Sequence, residues 1–285
     1  MSVDNGLTCI CGGSDMRREL AYDAPPQGET HFSLTGEYRR EYWQCQYCGH
    51  MAARLSMNLS GLYQHDYVEA TYGGMDGLQR SFERVVNLPP EQSDNVGRVS
   101  RIITFAEGRY RGGDPSGAAM RLLDVGSGLA VFPHAMRQLG WNCTVVDVDE
   151  RLTTHAAQVA GVQAVCGDFA TMSELTGYDA VTFNKVLEHV ADPVGMLAAA
   201  GGSLAPGGFV YVEVPDGVAA LFEGPHREEF FVEHLHVFSP ASVAILAARA
   251  GFSPLAVERV REPSGKFTLR AFLEPDSMGP HWWAL

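Results

Sequence analysis

Four of the chain's six cysteines fall before residue 50, in two pairs that each end on glycine: Cys9-Ile-Cys11-Gly12 and Cys45-Gln-Tyr-Cys48-Gly49. A tight turn of this kind aims two thiolates at one point, and two such knuckles complete a tetrahedral zinc site. Cys9, Cys11, Cys45 and Cys48 are therefore the expected ligands of one structural Zn2+, because four thiolates leave no open position for catalysis. Disulfides and scattered free thiols are the competing readings. Clustering in glycine-tailed pairs disfavours scatter, and a cytoplasmic chain disfavours disulfides. His50 and His65 are possible substitute ligands, with surface or packing roles expected for both. Cys143 and Cys166 stand at apolar strand positions and are expected in the core.

A second group of residues suits a nucleotide-like ligand. Arg121-Leu-Leu-Asp-Val-Gly-Ser-Gly-Leu-Ala130 reads as a buried strand that breaks into a glycine turn and opens a helix over about 131–139. Gly126 and Gly128 permit backbone conformations and a close ligand approach that a side chain would obstruct. The third glycine of a dinucleotide fingerprint is missing, with Ala130 near its place. Asp147 closes the next strand, where a carboxylate can accept both hydroxyls of a ribose. The following strand ends in Cys166-Gly-Asp168-Phe169, which offers an acceptor for an exocyclic amine and a ring face for a flat base.

Strands with intervening helices must position these residues. Apolar strands are readable near 121–125, 143–147, 162–166, 178–183 and 208–214, and helical stretches separate them, as a parallel sheet requires. A helix near 241–250 then leads to strands at 254–260 and 267–273, joined by a turn at Ser264-Gly265 too short for anything but an antiparallel pair. Residues 1–62 form the cysteine module, with strand-like composition at 29–34 and 40–43. Residues 63–117 form a helical connector, with Ser93 and Asp94 capping a helix to about Tyr110 before a linker at 111–117. Residues 118–285 form the alternating domain.

Composition narrows the partners. Apolar content of 46% with 19% charged residues is ordinary for a globular protein, and neither a membrane-spanning run nor a signal peptide is visible. A cytoplasmic location without membrane contact is expected. The formal charge of −13, with no Lys/Arg block and lysine only at 185 and 266, makes nucleic acid a poor first substrate. Oligomeric state is not legible.

The motifs D-V-G-S-G, the acidic strand end at Asp147, G-D-F, V-L-E-H-V-A-D-P and L-A-P-G-G occur in this order over about 118–273. In that order they resemble the class I S-adenosylmethionine-dependent methyltransferases. The resemblance implies an α/β class and a Rossmann-like, seven-stranded sheet with an antiparallel last strand, here joined to a small N-terminal zinc-binding module. It also implies S-adenosylmethionine as cofactor; a small-molecule acceptor is the first expectation, since the net acidity argues against RNA. Carried over by position, Gly126 and Gly128 would face the methionine part and Asp124 would contact or orient its amino group. Asp147 would hold the ribose, Asp168 and Phe169 would recognise adenine, and Asn184 would lie near the transferred methyl. For each aspartate a helix cap or loop solvation is the plain alternative. Glu188 and His189 are read as mainly structural.

Phe230-Phe-Val-Glu233-His234-Leu-His236-Val-Phe-Ser239 lies in an insertion that should fold over the cofactor. A similar E-H-x-x-x-F-S element occurs in a subgroup resembling the zinc-containing C-methyltransferases of antibiotic sugars. That subgroup also begins with a cysteine-rich module and a tyrosine-bearing connector. The likeness makes His234 the candidate base, preceded by Glu233, with His236 in reserve; a brace for the insertion is the alternative. An imidazole suits proton removal because its ordinary pKa lies near neutrality. Tyr63, Tyr67 and Tyr72 would line the acceptor pocket or pack between modules, and His281-Trp-Trp-Ala-Leu285 would cover a pocket or dock on a partner. The sugar enzymes carry a further C-terminal domain, so both C-methylation beside a carbonyl and O-methylation of a hydroxyl are open. A zinc-containing RNA-base methyltransferase and a non-catalytic cofactor-binding protein are the alternatives.

Overall fold

The computed structural model describes residues 7–59, 62, 67–110 and 119–276. Tyr63, His65, the linker at 111–117 and the aromatic ending lie outside the described residues.

The N-terminal module is an antiparallel sheet of β1 (Met16–Tyr22), β2 (Arg40–Cys45) and β3 (Met51–Leu55). The stretch 29–34, expected to be a strand, is loop. Glu29 instead turns inward to a buried ion pair with Arg40, a tertiary contact that composition does not report. β1 and β3 went unread because neither alternates cleanly: in β1 charged and apolar residues mix, and only its two end residues are buried.

Three helices follow: α1 (Tyr67–Tyr72), α2 (Met75–Val86) and α3 (Asp94–Arg109). As read from sequence, the Ser93 side chain caps α3 by accepting from the Val96 amide. α3 lies against the main sheet, where Phe105 stacks on Phe272 at 4.0 Å and meets Phe209 edge-on at 4.9 Å.

The main domain alternates β4 (Arg121–Val125), α4 (Val131–Gln138), β5 (Asn142–Asp147), α5 (Glu150–His155), β6 (Gln163–Cys166), β7 (Tyr178–Asn184), α6 (Pro193–Ser203) and β8 (Leu204–Pro215). After α7 (Gly217–Glu223) come β9 (His236–Val237), α8 (Pro240–Arg249), β10 (Phe252–Arg261) and β11 (Phe267–Pro275). Seven of these strands form one sheet in the order β10-β11-β8-β7-β4-β5-β6. The pairs from β8 to β6 are parallel, and β11 runs antiparallel to both neighbours, as expected for the last strand. Both sheet faces are covered: Leu123, Val181 and Val212 enter one core cluster while Leu122, Ala180 and Tyr211 enter another. Double burial explains why these strands read as apolar runs. Cys143 is in this core, but Cys166, at the end of β6, is exposed, because an edge strand leaves its last residue uncovered.

β9 does not join the main sheet. It completes the module's sheet as a fourth strand against β3, with Met51 opposite Val237 and Ala52 opposite His236. The insertion is thus shared between module and domain. No helix among the described residues is long and apolar enough to cross a membrane.

Candidate active site

Strand order reverses at β4, which has β5 on one side and β7 on the other. Ligands of open α/β sheets bind outside the carboxyl ends of strands at such a switch point. A cleft of about 360 Å³ lies there, lined by Gly126, Gly128, Asp147, Asp168, Phe169, Lys185, His189 and others. That volume is within the range of small-molecule sites.

The glycine turn shapes one wall. Gly126 and Gly128 hold φ of 66° and 50°, and Ala130, at the missing third glycine, also adopts a left-handed φ of 55°. A Cβ on Gly126 would come within 2.8 Å of Val186 Cγ2, whereas one on Gly128 would meet nothing within 4 Å. Gly126 thus lets two strand ends approach, while beside Gly128 the backbone stays open to a ligand.

Asp147 is buried, and its carboxylate accepts from the Asp149 amide at 3.1 Å and the Gly128 amide at 3.4 Å. Burial pushes its carboxyl up to about 6, with those amides opposing the rise. Phe169 is buried, packs edge-on against Phe183 at 5.9 Å and still borders the cleft. Asp168 lines the cleft while its Oδ1 accepts from the Ala170 amide, so the cap and the ligand position coincide.

Asp124 and Asn184 lie beneath the cleft and do not line it. Asp124 Oδ1 accepts from Thr182 Oγ1 at 2.6 Å and Asn184 Nδ2 at 2.7 Å, and burial raises its carboxyl to about 7. The bond leaves Asn184 Oδ1 buried without a partner, as is Ser127 Oγ in the glycine turn. Two orphaned buried acceptors beside the turn fit a ligand with donors to give. Lys185 was missed by sequence reasoning. It is a non-glycine residue at φ 61°, its amide bonded to Glu213 O and its ammonium to Thr268 Oγ1.

The structure brings two imidazoles together near the cleft. His189 and His234 have ring centroids 4.9 Å apart. His189 Nδ1 lies 2.9 Å from Glu233 O, and His234 Nδ1 lies 2.9 Å from Glu229 O. A carbonyl only accepts, so both rings carry their proton on Nδ1 and present a lone pair on Nε2. Burial holds His189 down at about 4 and His234 well below the ordinary imidazole value, which keeps both neutral. His189 lines the cleft, a role its motif did not reveal; His234 stands behind it. Glu188 is fully buried beside them with both carboxylate oxygens unpartnered, and burial pushes it up to about 8.

Glu233 does not line the cleft either; burial raises its carboxyl to about 7. His236 turns to the module, with Nδ1 3.0 Å from His50 Nε2. His50 is buried in that contact, a packing role. Tyr67 lines the cleft and stacks on Phe32 of the module, whereas Tyr72 packs with Val68, Leu78 and Leu152.

Two groups of metal-competent side chains occur among the described residues, each with its ligand atoms within 4.8 Å of one another. One is Glu188, His189 and His234; the other is Cys9, Cys11, Cys45 and Cys48. In the cysteine group, Cys9 and Cys48 sulfurs are 3.4 Å apart and Cys11 and Cys45 sulfurs 3.5 Å. Tetrahedral zinc with bonds of about 2.3 Å spaces its sulfurs by roughly 3.8 Å, so the donor set fits that ion with a small expansion.

Ubiquinone biosynthesis O-methyltransferases are among the chain's curated relatives. That of Xanthomonas axonopodis pv. citri is 31% identical over 116 residues, 38% of this chain and 48% of the relative. That of Xanthomonas oryzae pv. oryzae is 34% identical over 113 residues, 37% of this chain and 47% of the relative. The chain thus spans about half the length of the curated relatives it matches. Among solved structures, magnesium protoporphyrin IX methyltransferase from Synechocystis, with bound S-adenosylhomocysteine, aligns with TM-score 0.51 and 16% identity, covering 74% of this chain and 97% of that one. The 1,6-didemethyltoxoflavin-N1-methyltransferase of Burkholderia thailandensis aligns with TM-score 0.50 and 17% identity over 71% of this chain and 87% of that one. At such identities the likeness shows the fold. Residues 94–257 match the model of the methyltransferase domain family, from α3 through the switch-point cleft into β10, and the chain belongs to that family.

Proposed function

We propose that this protein transfers the methyl group of S-adenosylmethionine to a hydroxyl of a small-molecule acceptor, with His234 accepting the proton. The observation that carries this reading is the pair of neutral imidazoles at the cleft, each held through Nδ1 by a backbone carbonyl, which leaves Nε2 as the basic nitrogen. S-adenosylmethionine supplies an electrophilic methyl on its sulfonium. Asp147 would hold the ribose hydroxyls, Asp168 and Phe169 the adenine, and the turn at Gly126–Gly128 with Asn184 Oδ1 the methionine part. Asp124 acts through Asn184, which it orients. With the donor already activated, the protein must align the acceptor oxygen and take its proton as the new bond forms. His234 Nε2 receives that proton, with the buried Glu188 carboxyl and His189 within 4.8 Å of that ring. His189 and Tyr67 line the side from which an acceptor would enter.

The O-methyltransferase relatives support oxygen as the acceptor atom. Methylation of a carbon beside a carbonyl, on a sugar or other biosynthetic intermediate, is the second reading. It is favoured by the Glu233-His234 element occurring together with the cysteine module. In either case the four cysteines would hold a structural zinc that fixes the module to the domain.

The test is transfer of labelled methyl from S-adenosylmethionine to a panel of phenols, hydroxy acids and nucleotide-linked sugars. Product NMR separates O-methyl from C-methyl. Turnover with the wild type and its loss in His234→Ala are expected. Full turnover in His234→Ala would remove the base, and salt-sensitive transfer to RNA alone would overturn the small-molecule reading.

A further inference from the structure

The segment bearing His234 is held by residues some two hundred positions earlier in the chain. Tyr42 is fully buried, and its hydroxyl donates to His234 O at 2.7 Å and Phe231 O at 3.1 Å, the two carbonyls that bound the turn. Burial holds this phenol well above its ordinary pKa, so it remains a donor. The Val232 amide donates to Glu29 Oε2 at 2.7 Å. The same oxygen accepts from Arg40 Nη1 at 2.8 Å, and Tyr38 Oη donates to Glu29 Oε1 at 2.6 Å. From the opposite side, the Leu235 and His236 amides both donate to Glu188 O.

Glu29 and Arg40 are both buried, and Arg40 Nε and Nη2 have no hydrogen-bond partner. A buried ion pair with donors left over is a poor source of stability, and apolar residues of similar volume would serve a plain core as well or better. What this pair distinctively provides is a fixed acceptor for the backbone at residue 232.

We propose that the N-terminal module is the positioning element for His234, acting through Tyr42 and through the Glu29–Arg40 pair. The proposal rests on the histidine-base reading above. Tyr42 and Glu29 touch neither the cleft nor the reacting atoms; they fix the turn at 231–234, and the turn holds the imidazole so that Nδ1 reaches Glu229 O. A misplacement of about 1 Å in such a group costs on the order of a hundredfold in rate. Zinc at the cysteine knuckles would then act on the chemistry indirectly, because Cys48 O accepts from Ser239 Oγ and so ties a knuckle to the end of the same segment.

The experiment is histidine nitrogen NMR on the full chain, with the Tyr42→Phe variant as probe and Tyr22→Phe as control. Tyr22 belongs to the same apolar cluster, but its hydroxyl donates to Pro225 O, outside the 231–234 turn. In the wild type His234 should be neutral with about nine-tenths of its proton on Nδ1, since one hydrogen bond selects one tautomer. Tyr42→Phe should give roughly an even mixture, with S-adenosylhomocysteine affinity within about twofold and zinc content unchanged. Tyr22→Phe should leave the signal as in the wild type. A Tyr42→Phe spectrum identical to wild type, or equal changes in both variants, overturns the proposal. Full turnover in His234→Ala would remove the base reading, while a tautomer freed by Tyr42→Phe would still support positioning of the ring.

Discussion

The sheet edge that forms the cleft and the seam that holds the 230–239 segment are built by opposite means. At the edge, backbone does the shaping: strand ends, two glycines and short turns bring Asp147, Asp168 and Phe169 to one cavity with few side-chain bonds among them. At the seam, buried side chains do it. Tyr42 from a separate sheet and Glu29 from a loop beside it, the latter paired with Arg40, bind the turn that carries His234. The first construction is local and tolerant of substitution away from the glycines. The second buries charge and donors that have no water to fall back on, so removing one partner leaves another stranded.

The sharpest break of this contrast comes at the cysteines. Cys45→Ser/Cys48→Ser should abolish zinc binding, measured as about one ion per wild-type chain by elemental analysis, and should unfold the module, because such ions contribute roughly 10 kcal/mol or more to small folds. Turnover should fall more than about a hundredfold while the main sheet still melts cooperatively. A wild-type protein that folds without metal would remove zinc from the account.

His234→Ala should lower turnover by about two to four orders of magnitude, the usual worth of a general base, with S-adenosylhomocysteine affinity within about twofold. Calorimetry beside an activity assay separates the two regions in one variant.

Within the cleft the expected effects are smaller. Gly126→Ala forces a Cβ against Val186 at a left-handed φ and should cost about 1–2 kcal/mol in stability, read by denaturant melts. A Cβ at Gly128 meets nothing within 4 Å, so the stability loss of Gly128→Ala should be the lesser. Its effect should appear instead as weakened cofactor binding.

Protonation offers the mildest perturbation. Burial raises Asp147 to about 6, and the ribose-accepting form is the carboxylate. Cofactor affinity should therefore be full above that pH and fall as pH drops through about 6, by up to about tenfold per unit. The sign for folding stability is the reverse. A raised carboxyl pKa makes the uncharged form the comfortable one, so this group's contribution to folding stability is lost as pH rises through about 6.

The same division explains what was legible in the sequence. The strands of the main sheet are buried on both faces and announce themselves as apolar runs, and the turn at 126–130 shows its glycines. Asp147, Asp168 and Phe169 sit at strand ends, where position along the chain already implies position in space. The seam carries no such periodic signal. Residues 29–34 have strand composition but form a loop, because Glu29 is claimed by Arg40 and Val232 from distant parts of the chain. β9 is too short to read, and nothing local shows that His236 would face His50 across a strand pair. His189 looked structural within its motif; only the fold shows that it lines the cleft and stands against His234.

The most direct test of the central claim is calorimetric titration of S-adenosylmethionine into the wild type, Asp147→Ala and His234→Ala. One site per chain is predicted, weakened at least about tenfold by Asp147→Ala, as expected for lost charge-assisted hydrogen bonds, and nearly unchanged by His234→Ala. No binding to the wild type, or binding indifferent to Asp147→Ala, would contradict the assignment of the switch-point cleft to the methyl donor.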